Sequence, residues 1–143
     1  MRTFNKLLVG LIFVSATMTS CAQNQVKNEN LLPANAKEFL QQHFAGIQIA
    51  FVYVEDDQDF DVTLNDGTNV EFFKDGNWEK VECFGKAIPE SVVPAKISEY
   101  VKANYGKLYI EEISIERNGY DIELNNNLDI LFSKDGDFKK IDD

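Results

Sequence analysis

The chain has 143 residues, and its 24 acidic residues outnumber the 14 basic ones, which gives a net charge of −10. Such a surface repels nucleic acid phosphates and anionic lipid head groups, so both are excluded as expected partners. A chain of this length can bury one hydrophobic core of moderate size.

The first twenty residues have the three parts of a secretory signal peptide. Arg2 and Lys6 give a positive start, an apolar run follows at residues 7–14, and small or polar residues lead to Cys21. The apolar run is far shorter than the roughly 20 residues that a membrane-spanning helix needs. We therefore predict that residues 1–20 are a signal peptide and that the protein is exported.

Cys21 is the predicted lipid attachment site. The stretch Met18-Thr19-Ser20-Cys21 resembles the lipobox of bacterial lipoproteins, with methionine in place of the usual leucine. Residues 23–30 are polar and free of large apolar side chains, and residues 21–30 would form a tether between membrane and domain. The alternative is ordinary cleavage after Ala22. The predicted location is the periplasm or the outer membrane of a bacterium, with membrane contact only through the lipid.

Removal of residues 1–20 leaves 12 basic against 24 acidic residues, because only Arg2 and Lys6 are lost. With Cys21 lipidated, Cys83 is the single thiol of the folded part, so no disulfide can form within one chain. Stability must then come from apolar packing.

An internal repeat covers the rest of the chain. The stretch FKDGNW at residues 73–78 recurs as SKDGDF at residues 133–138. Further matches hold an offset of 61 early and 60 later: Pro33 with Pro94, Phe44 with Tyr105, Gly46 with Gly106, Phe60 with Tyr120, Leu64 with Leu124, and Phe72 with Phe132. A register this constant indicates two copies of one unit, with one residue lost between the prolines and the glycines.

Each unit is predicted to begin with a helix. Pro33 and Pro94 suit the first helical turn, and apolar residues follow at helical spacing. Gly46 and Gly106 would end the two helices in the left-handed conformation that glycine adopts easily.

Four antiparallel strands follow each helix. The segments 47–54 and 108–115 are rich in β-branched and aromatic residues, and the next two segments of each unit alternate apolar with polar residues. The residues 65–67 and 125–127 read as hairpin turns. Lys-Asp-Gly at residues 74–76 and 134–136 reads as the turn before the last strand. Trp78 and Val81 are three residues apart, which a β-bulge in the last strand would explain.

The predicted fold is therefore α+β, with two tandem repeats that each contain one helix and a four-stranded antiparallel meander. Repeat unit 1 covers residues 31–83, a linker covers residues 84–93, and repeat unit 2 covers residues 94–143. Together they would form one compact domain.

This organisation resembles the β-lactamase-inhibitor-like group of PepSY-like proteins. The resemblance covers residues 31–143 and rests on element order, repeat length and strand–turn patterns such as residues 120–124 and 132–138. It implies that the two sheets join into one concave surface that grips another protein. The inhibitors have a disulfide in each unit, which this chain cannot form, and their inhibitory loop residues have no match here.

The side of the sheets that faces away from the helices is the predicted protein-binding face. It is acidic and polar, with Phe73 and Leu131 as its apolar residues. Its other members are Asp59, Asp61, Thr63 and Glu71 in the first unit, and Asp121, Glu123 and Asp129 in the second. The alternative is a merely solvated face with two incidental apolar residues.

Other chemistry is weakly indicated. The acidic run at residues 55–59 offers oxygen ligands for calcium but lacks the spacing of an EF-hand, and a solvated turn is the simpler reading. His43 is the single histidine, and no catalytic arrangement or zinc cluster follows from it. No cofactor is expected.

The leading hypothesis is a non-enzymatic cell-envelope module that binds another protein, for example an exported enzyme that it inhibits or regulates. The alternative is an envelope protein that binds a small ligand or calcium through its acidic turns.

Overall fold

A computed structural model describes residues 29–142 of the chain. The predicted signal peptide, the lipid attachment site Cys21 and all but the last two residues of the predicted tether lie outside these residues. Glu29 and Asn30, which were assigned to the tether, belong instead to a short 3₁₀ helix, Glu29–Leu31, that packs near the start of the first strand.

The element order is one helix and four strands, followed by one helix and four strands. The elements are α1 (Ala34–His43), β1 (Ile49–Val54), β2 (Phe60–Leu64), β3 (Asn69–Phe72), β4 (Trp78–Glu82), α2 (Ala95–Tyr105), β5 (Ile110–Glu116), β6 (Gly119–Leu124), β7 (Leu128–Ser133) and β8 (Phe138–Asp142). Neither helix of residues 29–142 is long and apolar enough to cross a membrane.

All eight strands form one antiparallel sheet in the order β1 to β8. The joining of the two meanders into one sheet is therefore confirmed, and it depends on the pairing of β4 with β5. In that pairing Lys80 lies opposite Ser114, Val81 opposite Ile113, and Glu82 opposite Glu112. The fold is α+β, as the sequence predicts.

Both helices cover the same face of the sheet, where each contributes an aromatic ring to the core. Phe39 of α1 meets Phe72 edge-on at 5.7 Å and stacks on Trp78 at 5.9 Å. Tyr100 of α2 does the same with Phe132 at 5.3 Å and Phe138 at 5.0 Å. Apolar side chains of the strands fill the space below these rings, so one continuous core underlies the sheet: Val62, Leu64, Val70, Val81, Ile113, Ile122, Leu124 and Ile130.

The predicted linker, residues 84–93, is packed rather than loose. Ile88, Val92 and Val93 are buried in the core, and the Ile88 amide donates a hydrogen bond of 2.9 Å to the carbonyl oxygen of Ile110. This segment therefore holds α2 and β5 against the first half of the chain.

The predicted β-bulge is present in both last strands. Lys80 lies opposite Glu71 while Trp78 lies opposite Phe72, so Glu79 is the extra residue in β4. The same shift in β8 makes Lys139 the extra residue. Gly76 and Gly136, with φ of 83° and 79°, form the turns before these strands, as predicted.

Three details of the sequence interpretation are wrong. Pro33 and Pro94 are the capping residues that precede the helices, not residues of the first turn. Gly46 is left-handed with φ of 84°, but Gly106 ends α2 with φ of −51°. Aligned by their pairing, β1 and β5 keep the offset of 61, since Val54 lies opposite Phe60 and Ile115 opposite Tyr120.

The missing residue therefore lies in the turn between the first two strands of a half. Residues 55–59 form this turn in the first half, and residues 116–119 form it in the second. The glycine pair is not structurally equivalent, which explains why only Gly46 adopts the left-handed conformation.

Among the glycines of residues 29–142, Gly119 is the one that a larger residue could replace least easily. Its φ is 150°, and a Cβ atom there would lie 1.8 Å from the carbonyl oxygen of Phe132. We expect Gly119→Ala to lower the free energy of unfolding by roughly 3 kcal/mol or more, because β6 and β7 must separate. Gly67→Ala is the control, since Gly67 has φ of 85° and open space around it, and should cost only about 1 kcal/mol. Urea unfolding measures both, and equal losses would contradict the steric argument.

Candidate protein-binding face

The face of the sheet opposite the helices is made of two side-chain rows that run across all eight strands. The first row follows the paired residues Phe51, Thr63, Asn69, Glu82, Glu112, Glu123, Asp129 and Asp142. The second row follows Tyr53, Asp61, Glu71, Lys80, Ser114, Asp121, Leu131 and Lys140. Their neighbours along each strand point into the core, so alternation places both rows on the open face.

Five members of the first row are carboxylates on five adjacent strands, and we call them the carboxylate row: Glu82, Glu112, Glu123, Asp129 and Asp142. Neighbouring strands are about 4.8 Å apart, so the row extends over roughly 19 Å. Like charges directly opposite each other destabilise a sheet. Five in succession are therefore a cost that folding alone does not explain.

Two lysines partly compensate the carboxylate row: Lys140 contacts Asp142, and Lys80 contacts Glu112. The Lys80 ammonium lies 3.0 Å from the Glu112 carboxylate, with about a quarter of each side chain exposed. Burial alone would lower the pKa of Lys80, but its hydrogen bond to Glu112 raises it. Burial raises the pKa of Glu82, and the charges of Glu112 and Glu123 add to this against the opposing charge of Lys80.

Phe84 lies at one end of this charged surface. Its side chain is 69% exposed, the largest value among the exposed large hydrophobic residues of the described chain. Together with Glu82, Glu112 and Glu123 it lines a cleft of about 280 Å³ that Glu111 and Asn127 complete. An exposed aromatic ring beside carboxylates is a suitable contact for a cationic side chain.

The second row contains one aspartate at the same place in each half. Asp61 and Asp121 each have a carboxylate oxygen, Oδ1, that is buried without a hydrogen-bond partner. Burial, followed by the charges of Asp129 and Glu116, raises the pKa of Asp121 to about 6. This position is a local electrostatic cost that a bound cation would relieve.

The predicted calcium run is part of an acidic pocket at the end of β1. The pocket has a volume of about 270 Å³ and is lined by Phe60 and six carboxylates: Glu55, Asp57, Asp59, Asp61, Glu71 and Glu79. Burial is the main cause that raises the pKa of both Glu71 and Glu79, and nearby carboxylates add to it. Within residues 29–142, no three acidic, histidine or cysteine side chains are close enough to hold a metal ion as they stand.

The structure brings most of the predicted face together but separates its apolar members. Thr63, Glu123 and Asp129 lie in the first row, and Asp61, Glu71, Asp121 and Leu131 lie in the second. Asp59 lies just before β2, where its Oδ1 accepts a hydrogen bond of 2.6 Å from the Lys74 amide. Phe73 follows β3 and Leu131 lies on β7, about 19 Å away across four strand spacings. A partner would therefore meet these two apolar residues as separate contacts.

Sequence reasoning missed Glu82, Glu112, Asp142 and Phe84. The buried neighbours Val81, Cys83 and Ile113 already imply that Glu82 and Glu112 point outward by alternation. Their opposition cannot be read from either half alone, because it results from the β4–β5 pairing.

The surroundings of His43 and Cys83 indicate a structural role for both residues. His43 Nδ1 is 2.8 Å from Ser91 Oγ, its ring lies 4.5 Å from that of Phe39, and burial lowers its pKa. Cys83 is a buried free thiol whose pKa is raised by burial, and its Sγ lies 3.7 Å from Thr68 Oγ1. A buried thiol with a raised pKa is a poor nucleophile.

The fold belongs to the class of open antiparallel sheets that carry helices on one face only. A profile of the PepSY-like family, provisionally described as β-lactamase-inhibitor-like, matches residues 58–140. This match covers more than half of the chain, and the chain belongs to that family. No curated protein matches it.

Three solved structures from Bacteroides are similar to this chain. A Bacteroides vulgatus periplasmic protein of unknown function is 34% identical, with a TM-score of 0.76 and coverage of 82% of this chain and 97% of that one. A second B. vulgatus protein, from the DUF2874 family, is 32% identical, with a TM-score of 0.72 and coverage of 80% and 92%.

The third similar structure is from Bacteroides thetaiotaomicron. It is 31% identical, with a TM-score of 0.74 and coverage of 78% of this chain and 91% of that one. That protein is provisionally described as calcium-regulated and periplasmic.

Asp121→Asn should stabilise the protein at neutral pH. Because the folded-state pKa of about 6 lies above the ordinary 3.8, stability is present while Asp121 is protonated and is lost as pH rises through about 6. Discounted for partial solvent exposure, the substitution should add about 1 kcal/mol to the free energy of unfolding at pH 7.5. Near pH 3.5 the gain should disappear. Urea titrations at both pH values measure it, with the exposed turn residue Asp135, changed to Asn, as the control. Equal stability of Asp121→Asn and wild type at pH 7.5 would contradict the assignment.

Proposed function

We propose that the protein is a non-enzymatic module, exported to the periplasm, that binds another protein through the open face of its sheet. The carboxylate row carries this proposal. The row costs stability, extends over about 19 Å across five strands, and lies beside an exposed aromatic ring. Charge of one sign beside an exposed aromatic ring suits a partner protein of opposite charge.

The partner should present basic side chains to this face. The cleft at Phe84 offers a cationic group one aromatic surface and several carboxylates, and the row continues the negative charge as far as Asp142. Charge complementarity of this kind raises the association rate and selects the partner. Inhibition or regulation of an exported enzyme is the form of binding that the family resemblance suggests.

Two further features belong to this proposal. The periplasmic location is supported by the descriptions of the similar Bacteroides proteins. A lipid anchor on Cys21 and the organisation as two tandem repeats of one unit stay predictions. The repeat is supported by the common element order, the matching aromatic stacks of Phe39 and Tyr100, and the bulge in both β4 and β8.

A charge-reversal variant tests the face. Glu123→Lys with Asp129→Lys makes the pairs with Glu112 and Asp142 attractive and leaves one like-charged pair between the two changed positions, so the variant should stay folded. In affinity capture from an envelope extract of the protein's own organism, quantified by mass spectrometry, we expect partners of the wild type to fall at least tenfold. Phe84→Ala should lower the captured amount of the same partners.

The matched control makes the same change of charge on the helix side of the molecule. Glu38→Lys with Glu99→Lys alters two exposed helix residues. It should capture the same partners as the wild type. Identical partner sets for all variants would refute binding through this face.

Calcium binding is the second candidate function. The observation that favours it is the acidic pocket, together with a similar protein that is provisionally described as calcium-regulated. Carboxylate oxygens suit this hard cation. Since no three of these side chains converge as they stand, the turn at residues 55–59 would have to close around the ion.

Calorimetry with calcium chloride tests this candidate. We expect measurable heat and a rise in Tm, because an ion that binds only the folded state stabilises it. Asp57→Asn with Glu79→Gln should abolish both signals, whereas Glu82→Gln with Glu123→Gln, outside the pocket, should keep them. Absence of heat and of any change in Tm for the wild type would dismiss calcium.

A further inference from the structure

The two edges of the sheet differ in how they are protected against further pairing. The edge strand β8 contains Lys139 and Lys140, and its residues are exposed and largely charged. Charged residues, especially lysines, are a common protection of sheet edges. The other edge strand, β1, has the sequence IAFVYV, without a charge or a proline.

The far half of β1 is accessible within residues 29–142. The 3₁₀ helix Glu29–Leu31 packs near the start of the strand, where Glu29 shares a cavity with residues 47–49. Towards the end of the strand, Tyr53 is 56% and Val54 is 38% exposed. In the described part of the chain, β2 is the single strand that pairs with β1. Every second amide and carbonyl of β1 therefore points outward from the sheet.

The charged side chains that line the pocket at the far end of this edge are all carboxylates. The acidic pocket lined by Glu55, Asp57, Asp59, Glu71 and Glu79 adjoins the end of β1, and Tyr53 lies opposite Asp61. A strand added to β1 would lie along uncharged side chains for most of its length and reach this pocket at one end. In an antiparallel arrangement, as in the rest of the sheet, that end is the N-terminal end of the added strand.

These observations select the occupant. A second copy of the chain would have to approach an edge that ends in the same acidic pocket, against a net charge of −10 for each chain. A partner segment with basic residues would meet complementary charge instead. Addition of a strand to a sheet edge takes its affinity from main-chain hydrogen bonds and its specificity from flanking side chains.

We propose that β1 binds an extended segment of a partner protein as a ninth, antiparallel strand, with uncharged β-forming residues along Phe51–Val54 and basic residues at its N-terminal end in the acidic pocket. This site is separate from the carboxylate row on β4 to β8. It gives the protein a second contact that does not depend on the proposed function of the open face.

The test uses a synthetic peptide and the mature chain. The peptide has two lysines followed by three threonine–valine pairs, with acetyl and amide ends. One control peptide has two glutamates in place of the lysines. Another keeps the lysines but is N-methylated at every second residue, so that it cannot pair with an edge strand. Binding is followed by amide chemical shifts and by hydrogen exchange.

We expect the lysine peptide to shift and protect the outward-pointing amides of β1 and not those of β8. The glutamate peptide should bind at least tenfold more weakly, and the N-methylated peptide should not bind. Tyr53→Lys should weaken binding at least tenfold, whereas Ile141→Lys, at an exposed position of the other edge, should not change it. Asp57→Asn with Glu79→Gln should reduce affinity several-fold and lower its dependence on salt.

Three results would overturn the proposal. One is equal affinity of the lysine and N-methylated peptides, and another is a shift of β8 amides in place of β1 amides. The third is slow exchange of the outward-pointing β1 amides in the mature chain without peptide, which would mean that the edge is already covered by the chain itself or by a second copy. Glu123→Lys with Asp129→Lys should leave peptide binding unchanged, so failure here and failure of the open-face proposal are distinguishable.

Discussion

The antiparallel pairing of β4 with β5 is the interaction on which the rest of the molecule depends. It converts two four-stranded meanders into one sheet, and it places Val81 and Ile113 in a common core. The packed segment 84–93 supports it from the side of the helices, where Ile88 bonds to Ile110. Without this seam each half would be a very small domain with an exposed apolar edge.

The same seam also determines the electrostatics of the open face. Glu82 and Glu112 belong to different halves, and only their pairing connects the acidic positions of the first half with those of the second. Lys80 reduces the repulsion at this point by its contact with Glu112. The core beneath the row is continuous and, apart from Thr68, apolar, so it can offset a charged surface that would destabilise a smaller sheet. The apolar packing on the helix side of the sheet thus allows the open face to carry carboxylates that repel one another.

Much of the fold can be predicted from the sequence because its signals are local. Alternation in β2 and β6, the Lys-Asp-Gly turns and the spacing from Trp78 to Val81 each depend on a few neighbouring residues, and the structure agrees with them. The errors concern features that local patterns do not determine. Gly46 and Gly106 are both glycines, but they are 60 residues apart while the structure keeps an offset of 61 through β1 and β5. They are therefore not structurally equivalent.

The candidate site was predictable in part for the same reason. Asp61, Thr63, Asp121 and Glu123 could be assigned to the open face from alternation alone. The carboxylate row could not, because it exists only between strands whose register is fixed by tertiary structure. Phe73 and Leu131 were assigned to the face from their own halves, and the distance between them follows only from the strand order of the whole sheet.

The stacking of Trp78 on Phe39 has a practical consequence. Trp78 is the only tryptophan of the chain, and it lies where α1 meets the bulged strand β4. Its indole emission therefore reports on the docking of one helix in one half, while the equivalent position in the other half, Phe138, is spectroscopically silent at the same excitation wavelength. The protein thus contains an intrinsic optical probe for asking whether its two halves come apart together or one before the other.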